Sequence, residues 1–291
     1  MTFIEAYEKI KSAMEKSNPA EIEGHLAIQV NLNDEDAQGI MYIEVKEGQL
    51  YVEPYDYVDH DAILTASYKD VVRVMAGRLG YEKAIENGYP IEMDVQLTSD
   101  LIPVCFHDDN LKRITGKDAL IWNTSFNELQ ELNILGTDQK IITFEDFLRL
   151  IGGRVPLLIE LKSQPKNNEV LAQKVLDTLK EYKGEYVIQS FDPRLMKCVR
   201  KINPSVIRGQ LIDGGKTAIN PVLRFILSNG LLNFMSKPDF INYSFTTLPL
   251  KKRIARGKRV LCWTIRNQKD EEASLPFVEG YVFENITPKL K

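Results

Sequence analysis

Apolar and polar residues alternate with a period of two along three stretches near the start of the chain. This alternation is typical of half-buried strands in an antiparallel sheet. The three stretches are 25–31 (HLAIQVN), 40–46 (IMYIEVK) and 49–53 (QLYVE). The pair Glu47-Gly48 separates the last two and predicts a tight hairpin turn. Apolar residues at helical spacing over 3–16 predict an amphipathic helix, so this region is expected to form a small α+β unit.

The pattern continues with a short strand predicted over 62–67 and a helix over about 69–87, which Gly88 would end. Beyond this point strand-like and helical patterns alternate, which favours βαβ units and a parallel sheet. The helical patterns include 167–182 and 193–202. The strand-like runs lie near 90–95, 155–161, 186–191, 206–212, 239–244, 259–265 and 279–285.

Seven parallel strands are one fewer than a closed (β/α)8 barrel needs. We hypothesise that 62–67 supplies the missing first strand and that the helix over 69–87 is its crossover. Residues 96–106 are too few for a parallel crossover and predict a hairpin above the end of the first run. Asp94 and His107 would then flank the base of that hairpin.

Candidate metal ligands lie at the ends of two strand-like runs. Glu92 and Asp94 are two residues apart on a strand and therefore point to the same face. Glu160 ends a later run, in PLLIELK. Three carboxylates at such positions favour a hard cation, Mg²⁺ or Ca²⁺. The alternative is a set of solvated acids at strand ends.

Three further residues are candidates for chemistry beside these carboxylates. His107 precedes two aspartates and is expected to act as an acid/base residue, although a lone histidine is often structural. Lys162 would hold a phosphate oxygen, or form a salt bridge with Glu160. Trp263 would line the mouth of the pocket or belong to the core.

Composition narrows the partners and the compartment. The chain has 37 basic and 41 acidic residues and a net charge of −4, which argues against nucleic acid as a ligand. Three well-separated cysteines favour a reducing compartment, and the cytoplasm is the expected location. The charged N-terminal segment is unlike a signal peptide, and no apolar run has the length of a membrane span.

The most apolar segment, 219–235, has two interpretations. It is either a barrel helix that faces the sheet or an exposed lip that meets a lipid substrate or a membrane surface.

Residues 81–291 resemble the glycerophosphodiester phosphodiesterase family. The segments that carry the resemblance are AIENGYPIEMDVQLTSD, VCFHDDNLKRITGK, VPLLIELK, VIQSFDP, RGQLI, PDFINYS and LCWTIRN. The resemblance implies an α/β fold, a TIM-barrel-like phosphodiesterase domain whose first strand is missing or substituted. It also implies metal-dependent hydrolysis of glycerophosphodiesters to glycerol phosphate and an alcohol, with a glycerophosphodiester or a lysophospholipid as the substrate.

In this family, Glu92, Asp94 and Glu160 would bind the divalent metal, Lys162 would face the substrate phosphate and His107 would be one of two catalytic histidines. The family also opens with an H-R-G strand and an E-N-T segment, and neither occurs in this sequence. The other histidine would therefore be absent, which typically lowers the rate by about 10²–10⁴-fold. Weak activity is expected.

Residues 1–80 resemble a truncated domain of the sterol carrier protein 2-like lipid-binding fold. The resembling text includes HLAIQVN, EPYDYVDHDAILTAS and KDVVRVMAGRL. The alternative function is therefore a non-enzymatic lipid or sterol carrier with a relic phosphodiesterase site. A third interpretation is a degraded gene product with neither function.

Overall fold

The fold is that of a computed structural model, which describes residues 2–15, 25–57, 62–66, 84–85, 87–134, 139–215, 220–255, 257–284, 286 and 288. The chain forms two compact units. The first comprises Met1–Asn87 and Asn133–Lys140, and the second comprises Gly88–Leu132 and Ile141–Lys291. The predicted helix over 69–87 and the predicted junction near Gly80 lie outside the described residues, apart from the helix's last few positions.

The first unit contains one described helix and a four-stranded sheet. The elements are α1 (Phe3–Met14), β1 (His25–Leu32), β2 (Gly39–Lys46), β3 (Gln49–Glu53) and β4 (Ala62–Ala66), with the strands in the order β3-β2-β1-β4. The first three strands pair antiparallel, as their alternating patterns predict. Glu47 and Gly48 both have positive φ, which is the backbone of the predicted hairpin turn.

The core of the first unit lies between α1 and the sheet. Tyr7 and Ile10 on one face of α1 pack with Val30 and Met41 from the strands. The Tyr7 hydroxyl donates a hydrogen bond of 3.0 Å to the carbonyl oxygen of Val52, so the ring is buried without an unpaired polar atom. The apolar face predicted for a helix over 3–16 is therefore the face of α1 that packs on the sheet, although the helix ends at Met14.

The hypothesis that residues 62–67 complete the barrel is wrong. Ala62–Ala66 pairs in parallel with β1, where Leu32 lies opposite Ala66, and belongs to the first sheet. The partner of this strand lies about thirty residues away in the sequence. The short pattern AILTA predicts a strand but does not indicate which distant strand it pairs with.

The second unit is built on a curled sheet of eight strands that resembles half of a barrel. Seven strands run parallel, as predicted, and the eighth is antiparallel. The strands are β5 (Ile91–Leu97), β6 (Pro103–Cys105), β7 (Leu157–Leu161), β8 (Tyr186–Ser190), β9 (Arg208–Ile212), β10 (Phe240–Ser244), β11 (Arg259–Ile265) and β12 (Gly280–Phe283). Their order in the sheet is β12-β11-β10-β9-β8-β7-β5-β6.

The antiparallel strand β6 confirms the predicted hairpin. Val95 of β5 lies opposite Cys105 of β6. Just beyond the hairpin, the backbone N–H of Phe106 donates to the carbonyl oxygen of Asp94 at 3.2 Å. The hairpin therefore brings the residue after Phe106 to the part of β5 that carries Asp94.

Helices of the second unit lie between the strands. They are α2 (Lys112–Thr115), α3 (Phe126–Gln130), α4 (Phe144–Ile151), α5 (Asn168–Leu179), α6 (Pro193–Ile202), α7 (Pro221–Ser228), α8 (Asn233–Ser236), α9 (Lys252–Ala255) and α10 (Gln268–Ser274). Sequence explains the start of α6, where Asp192 caps the helix and Pro193 occupies its first turn. No described helix is long and apolar enough to cross a membrane.

A close approach inside the sheet explains one glycine. A Cβ atom on Gly209 would lie 2.2 Å from the ring of Phe240, which is buried on the neighbouring strand β10.

We expect Gly209→Ala to lower the free energy of unfolding by about 1–3 kcal/mol, because the ring must move within a packed core. Urea unfolding would measure this loss.

The double variant Gly209→Ala/Phe240→Leu provides the matched control. Replacing the ring should recover part of the loss caused by the added methyl group, so the two changes should not be additive. Fully additive effects would show that the methyl group and the ring do not compete for the same space.

Candidate active site

Three carboxylates meet on neighbouring strands of the second unit. Glu92 and Asp94 lie on one face of β5, and Asp94 is directly opposite Glu160 of β7. One oxygen from each residue lies within 4.8 Å of the others. The structure therefore brings together the three residues that the sequence predicted as metal ligands.

The carboxylates are held where ionisation is unfavourable. Burial raises the pKa of Glu92 to about 8, and repulsion from Asp94 and Glu160 adds to the effect. Burial also raises the pKa of Glu160, which is only 6% exposed. Like charges this close cannot all ionise readily unless a positive charge compensates them.

Lys162 supplies one compensating charge. Its Nζ atom lies 2.8 Å from Glu160 Oε1 and 2.9 Å from Asp94 Oδ1. Burial alone would lower the pKa of Lys162, but attraction to Glu160 and Asp94 outweighs burial and raises it. The salt bridge to Glu160, one of the two sequence alternatives, is present, while contact with a substrate phosphate remains a prediction.

The cluster fits a divalent cation by charge and by unmet bonding. Three ionised carboxylates and one lysine leave two negative charges. Asp94 Oδ1 and Glu160 Oε1 are buried, and no described residue donates a well-aligned hydrogen bond to either oxygen beyond the ionic contact with Lys162. An all-oxygen donor set of this kind suits Mg²⁺ or Ca²⁺.

His107 stands on the segment that leaves the β5–β6 hairpin. Its side chain is 68% exposed, and Nδ1 lies 2.7 Å from Asp108 Oδ1. Arg113 holds Asp108 through contacts of 2.6 and 2.9 Å, and hydrogen bonds from Arg113 and His107 lower the pKa of Asp108 to about 2. An ionised Asp108 accepts a hydrogen bond from His107 Nδ1, which leaves Nε2 of the ring for proton transfer.

Sequence reasoning missed Gln96, which fixes this segment. Its side chain is fully buried, and Nε2 donates to the carbonyl oxygens of Phe106, His107 and Asp108 at 3.0, 3.2 and 2.9 Å. Its position gave a usable signal, because Gln96 continues the same strand face as Glu92 and Asp94. A polar residue on a face that already carries two acids indicates a site.

A second missed group links the carboxylates to more distant strands. Asn242 of β10 donates a hydrogen bond of 2.9 Å to Gln189 Oε1 on β8. Gln189 in turn interacts with Glu92 and partly offsets the rise in the pKa of that carboxyl group. Both amides are buried, so this polar row orients Glu92 within the sheet.

Trp263 packs against Phe191, with ring centres 5.5 Å apart in an edge-to-face arrangement. Phe191 follows β8 and is 38% exposed, whereas Trp263 on β11 is half-buried. The predicted role of Trp263 at the mouth of a pocket stays a prediction. Phe191 was not among the predicted site residues.

Parallel α/β sheets of barrel type carry their chemistry at the carboxyl ends of the strands, and this acidic cluster with its lysine and histidine fits that class of enzyme. The chain belongs to the glycerophosphoryl diester phosphodiesterase family, whose model matches residues 79–279. The match begins close to the predicted start of the phosphodiesterase-like region at 81.

Curated relatives agree with the family. The YhdW protein of Bacillus subtilis is 28% identical over 196 residues, which are 63% of this chain and 76% of that protein. The glycerophosphodiester phosphodiesterase of Caldanaerobacter subterraneus subsp. tengcongensis is 30% identical over 145 residues, which are 46% of this chain and 60% of that enzyme. Family and relatives make the chain a glycerophosphodiester phosphodiesterase-like hydrolase.

Solved structures confirm the fold. An Oleispira antarctica phosphodiesterase, in complex with the product sn-glycerol-3-phosphate, matches with a TM-score of 0.59 at 22% identity. The match covers 69% of this chain and 83% of that one. At this identity the likeness establishes the shared half-barrel architecture.

The raised pKa of Glu92 makes the stability of the metal-free protein depend on pH. Between the ordinary value of 4.5 and about 8, the folded state binds more protons than the unfolded state. The free energy of unfolding should therefore fall as pH rises through this window. In EDTA and at the upper end of this pH window, we expect the free energy of unfolding of Glu92→Gln to exceed that of the parent by on the order of a few kcal/mol.

Thermal unfolding of both proteins across this pH range, with EDTA, measures the difference. Parallel curves for parent and variant would contradict the assignment of the pH dependence to Glu92.

Gln96 is expected to act as a positioning residue for His107. Gln96→Leu leaves three carbonyl groups without their donor, so the segment should shift and kcat should fall by about 10²-fold. Cation binding, measured by calorimetry, should persist because the carboxylates lie elsewhere on β5 and β7.

Gln130→Leu is the matched control, because Gln130 also donates to a backbone carbonyl, that of Ile141, at 2.8 Å. It should lower stability and leave kcat near that of the parent. An equal loss of kcat in both variants would indicate a general effect on folding instead of positioning.

Proposed function

We propose that the chain hydrolyses a glycerophosphodiester to glycerol phosphate and an alcohol, with Mg²⁺ or Ca²⁺ held by Glu92, Asp94 and Glu160. One observation supports this proposal most strongly. Three carboxylates that are partly or fully buried lie together beside the hairpin that leads to His107, and one lysine pairs with two of them, in a chain of the phosphodiesterase family. In the alternative given above, a set of solvated acids at strand ends, the carboxylates would be exposed to water.

A divalent cation at these carboxylates would polarise a phosphoryl oxygen and reduce the repulsion between an anionic diester and its nucleophile. Lys162 would reorient from Asp94 toward a second phosphate oxygen as negative charge develops there. Gln189 and Asn242 keep Glu92 oriented throughout. Binding energy from these fixed groups is available to the transition state without a large rearrangement.

His107 would transfer one proton during the reaction. The sequence of the second unit contains no other histidine, since His25 and His60 both precede Asn87. A water molecule would have to exchange the second proton, which is slower than transfer by a positioned side chain. We therefore expect turnover to be weaker than that of an enzyme with two histidines, by about 10²–10⁴-fold.

The substrate class follows from the family and the fold neighbours. A glycerophosphodiester is the simplest substrate that would yield glycerol phosphate, the product in the Oleispira antarctica complex. A lysophospholipid has the same phosphodiester with an acyl chain on the glycerol. The pair Phe191 and Trp263 would offer apolar surface to the glycerol or to its acyl chain.

The site should lose its activity when either of two residues is removed. His107→Ala is expected to lower kcat by about 10²–10⁴-fold, because proton transfer is lost. Glu92→Ala should abolish stimulation by Mg²⁺ or Ca²⁺. Release of glycerol phosphate from glycerophosphocholine, with each metal or with EDTA, measures both effects.

His25→Ala is the control for loss of a histidine, because His25 pairs with Glu44 in the first unit. It should leave turnover unchanged. Unchanged turnover in His107→Ala would overturn the assignment of His107. No turnover from a folded protein that binds the cation would turn attention to the lipid-carrier alternative.

A further inference from the structure

Helix α7 and the turn after it expose an unusual amount of apolar surface. No side chain of α7 is buried. We call the exposed set the α7 patch. It comprises Val222 (67% exposed), Leu223 (44%), Phe225 (59%), Leu231 (44%) and Phe234 (68%). Exposed apolar side chains concentrated in one short stretch of the chain point to an interaction site.

The patch belongs to a well-formed element. Asn220 caps α7 by accepting from the backbone N–H of Val222 at 2.9 Å, and Pro221 fixes its first turn. The following helix α8 packs against α6 and β9, which anchors the turn to the unit. Phe225 is therefore displayed on a capped helix, and Phe234 lies on the helix α8 that packs against the unit.

Basic residues are abundant in the part of the chain that carries the patch. Residues 220–258 contain seven basic residues and one acidic residue, Asp239, although the whole chain has a net charge of −4. Arg253 of α9 donates to Asn229 at the end of α7, and Ile254 lies beside Gly230. Lys251 and Lys252 are exposed and form no ion pair with any residue that the structure describes. Positive charge and apolar surface thus adjoin.

We propose that the α7 patch and the basic residues of α9 bind an anionic phospholipid surface. Aromatic and aliphatic side chains would enter the boundary between headgroups and acyl chains, while lysine and arginine side chains contact lipid phosphates. A protein partner would explain the apolar surface but does not require an excess of basic residues. The proposal is independent of the proposed phosphodiesterase activity.

The same end of the sheet would face the lipid. The segment before α7 leaves the carboxyl end of β9, and Gly214 in it lies against Thr247, which follows the carboxyl end of β10. Chemistry in such sheets is also found at the carboxyl ends. Docking through this patch would therefore bring this end of the second unit near the membrane surface.

Co-sedimentation of the full chain with vesicles tests the proposal. Vesicles of phosphatidylcholine alone are compared with vesicles of equal parts phosphatidylcholine and phosphatidylserine, all in EDTA so that no phosphodiesterase activity is needed. We expect binding to the anionic vesicles that weakens as salt is added. The double variant Phe225→Ser/Phe234→Ser should bind at least about tenfold more weakly, because it removes two exposed rings that would insert into the lipid.

Two further variants separate the contributions. Lys251→Glu/Lys252→Glu should lower affinity for anionic vesicles by about tenfold and leave the weak affinity for neutral vesicles unchanged. Phe277→Ser is the matched control, because Phe277 is 47% exposed and lies outside the patch. It should bind as the parent does. Phe225→Trp should show a blue-shifted emission on binding anionic vesicles.

Three outcomes would overturn the proposal. The parent does not bind anionic vesicles, or the patch variant binds them as well as the parent does. In the third outcome, no variant affects vesicle binding, but the patch variant abolishes a dimer seen by size-exclusion chromatography. That result would assign the patch to contact between two copies of the chain.

Discussion

Repulsion between three carboxylates that are partly or fully buried is the constraint on which the second unit depends. Pairing of β5 with β7 places Asp94 opposite Glu160, and Glu92 lies two residues away on the same face. Lys162 compensates one charge, and the raised pKa values of Glu92 and Glu160 show that compensation is incomplete. A protein does not keep such an arrangement for stability, because apolar residues would pack at lower cost. The arrangement is instead suited to holding a cation.

The surrounding structure fixes this cluster and the histidine beside it through buried amides. Gln96 holds three carbonyl groups of the His107 segment, and Gln189 with Asn242 orients Glu92. All three amides lie on sheet strands, whose backbone positions are set by pairing with neighbours. A site built on strands keeps its geometry better than one built on loops. The three carboxylates lie on strands, Lys162 directly follows β7, and His107 lies on a connecting segment.

Local pattern was sufficient for most of the fold, and pairing over long distances was not. The strand over 259–265 and the helix over 193–202 have the predicted bounds. The apolar periodicity of both segments is strong, and Asp192 caps the start of the helix. Ala62–Ala66 was assigned to the wrong sheet, since its five apolar or small residues fit either partner. Glu92, Asp94 and Glu160 were predictable from charge on apolar strands. Gln96 was missed although it continues the strand face of Glu92 and Asp94, and Gln189 was missed because a neutral amide contrasts less with its apolar neighbours than a charged group does. Whether residues 1–80 carry lipid stays a prediction.

Calorimetric titration of Mg²⁺ and Ca²⁺ into the purified chain tests the central claim most directly. At neutral pH, one cation should bind per chain and release protons, seen as a dependence of the heat on the buffer, because the pKa of Glu92 lies near 8. Glu160→Gln should weaken binding at least about tenfold. Absence of binding, or binding that is unchanged in Glu160→Gln, would contradict a cation site at these carboxylates.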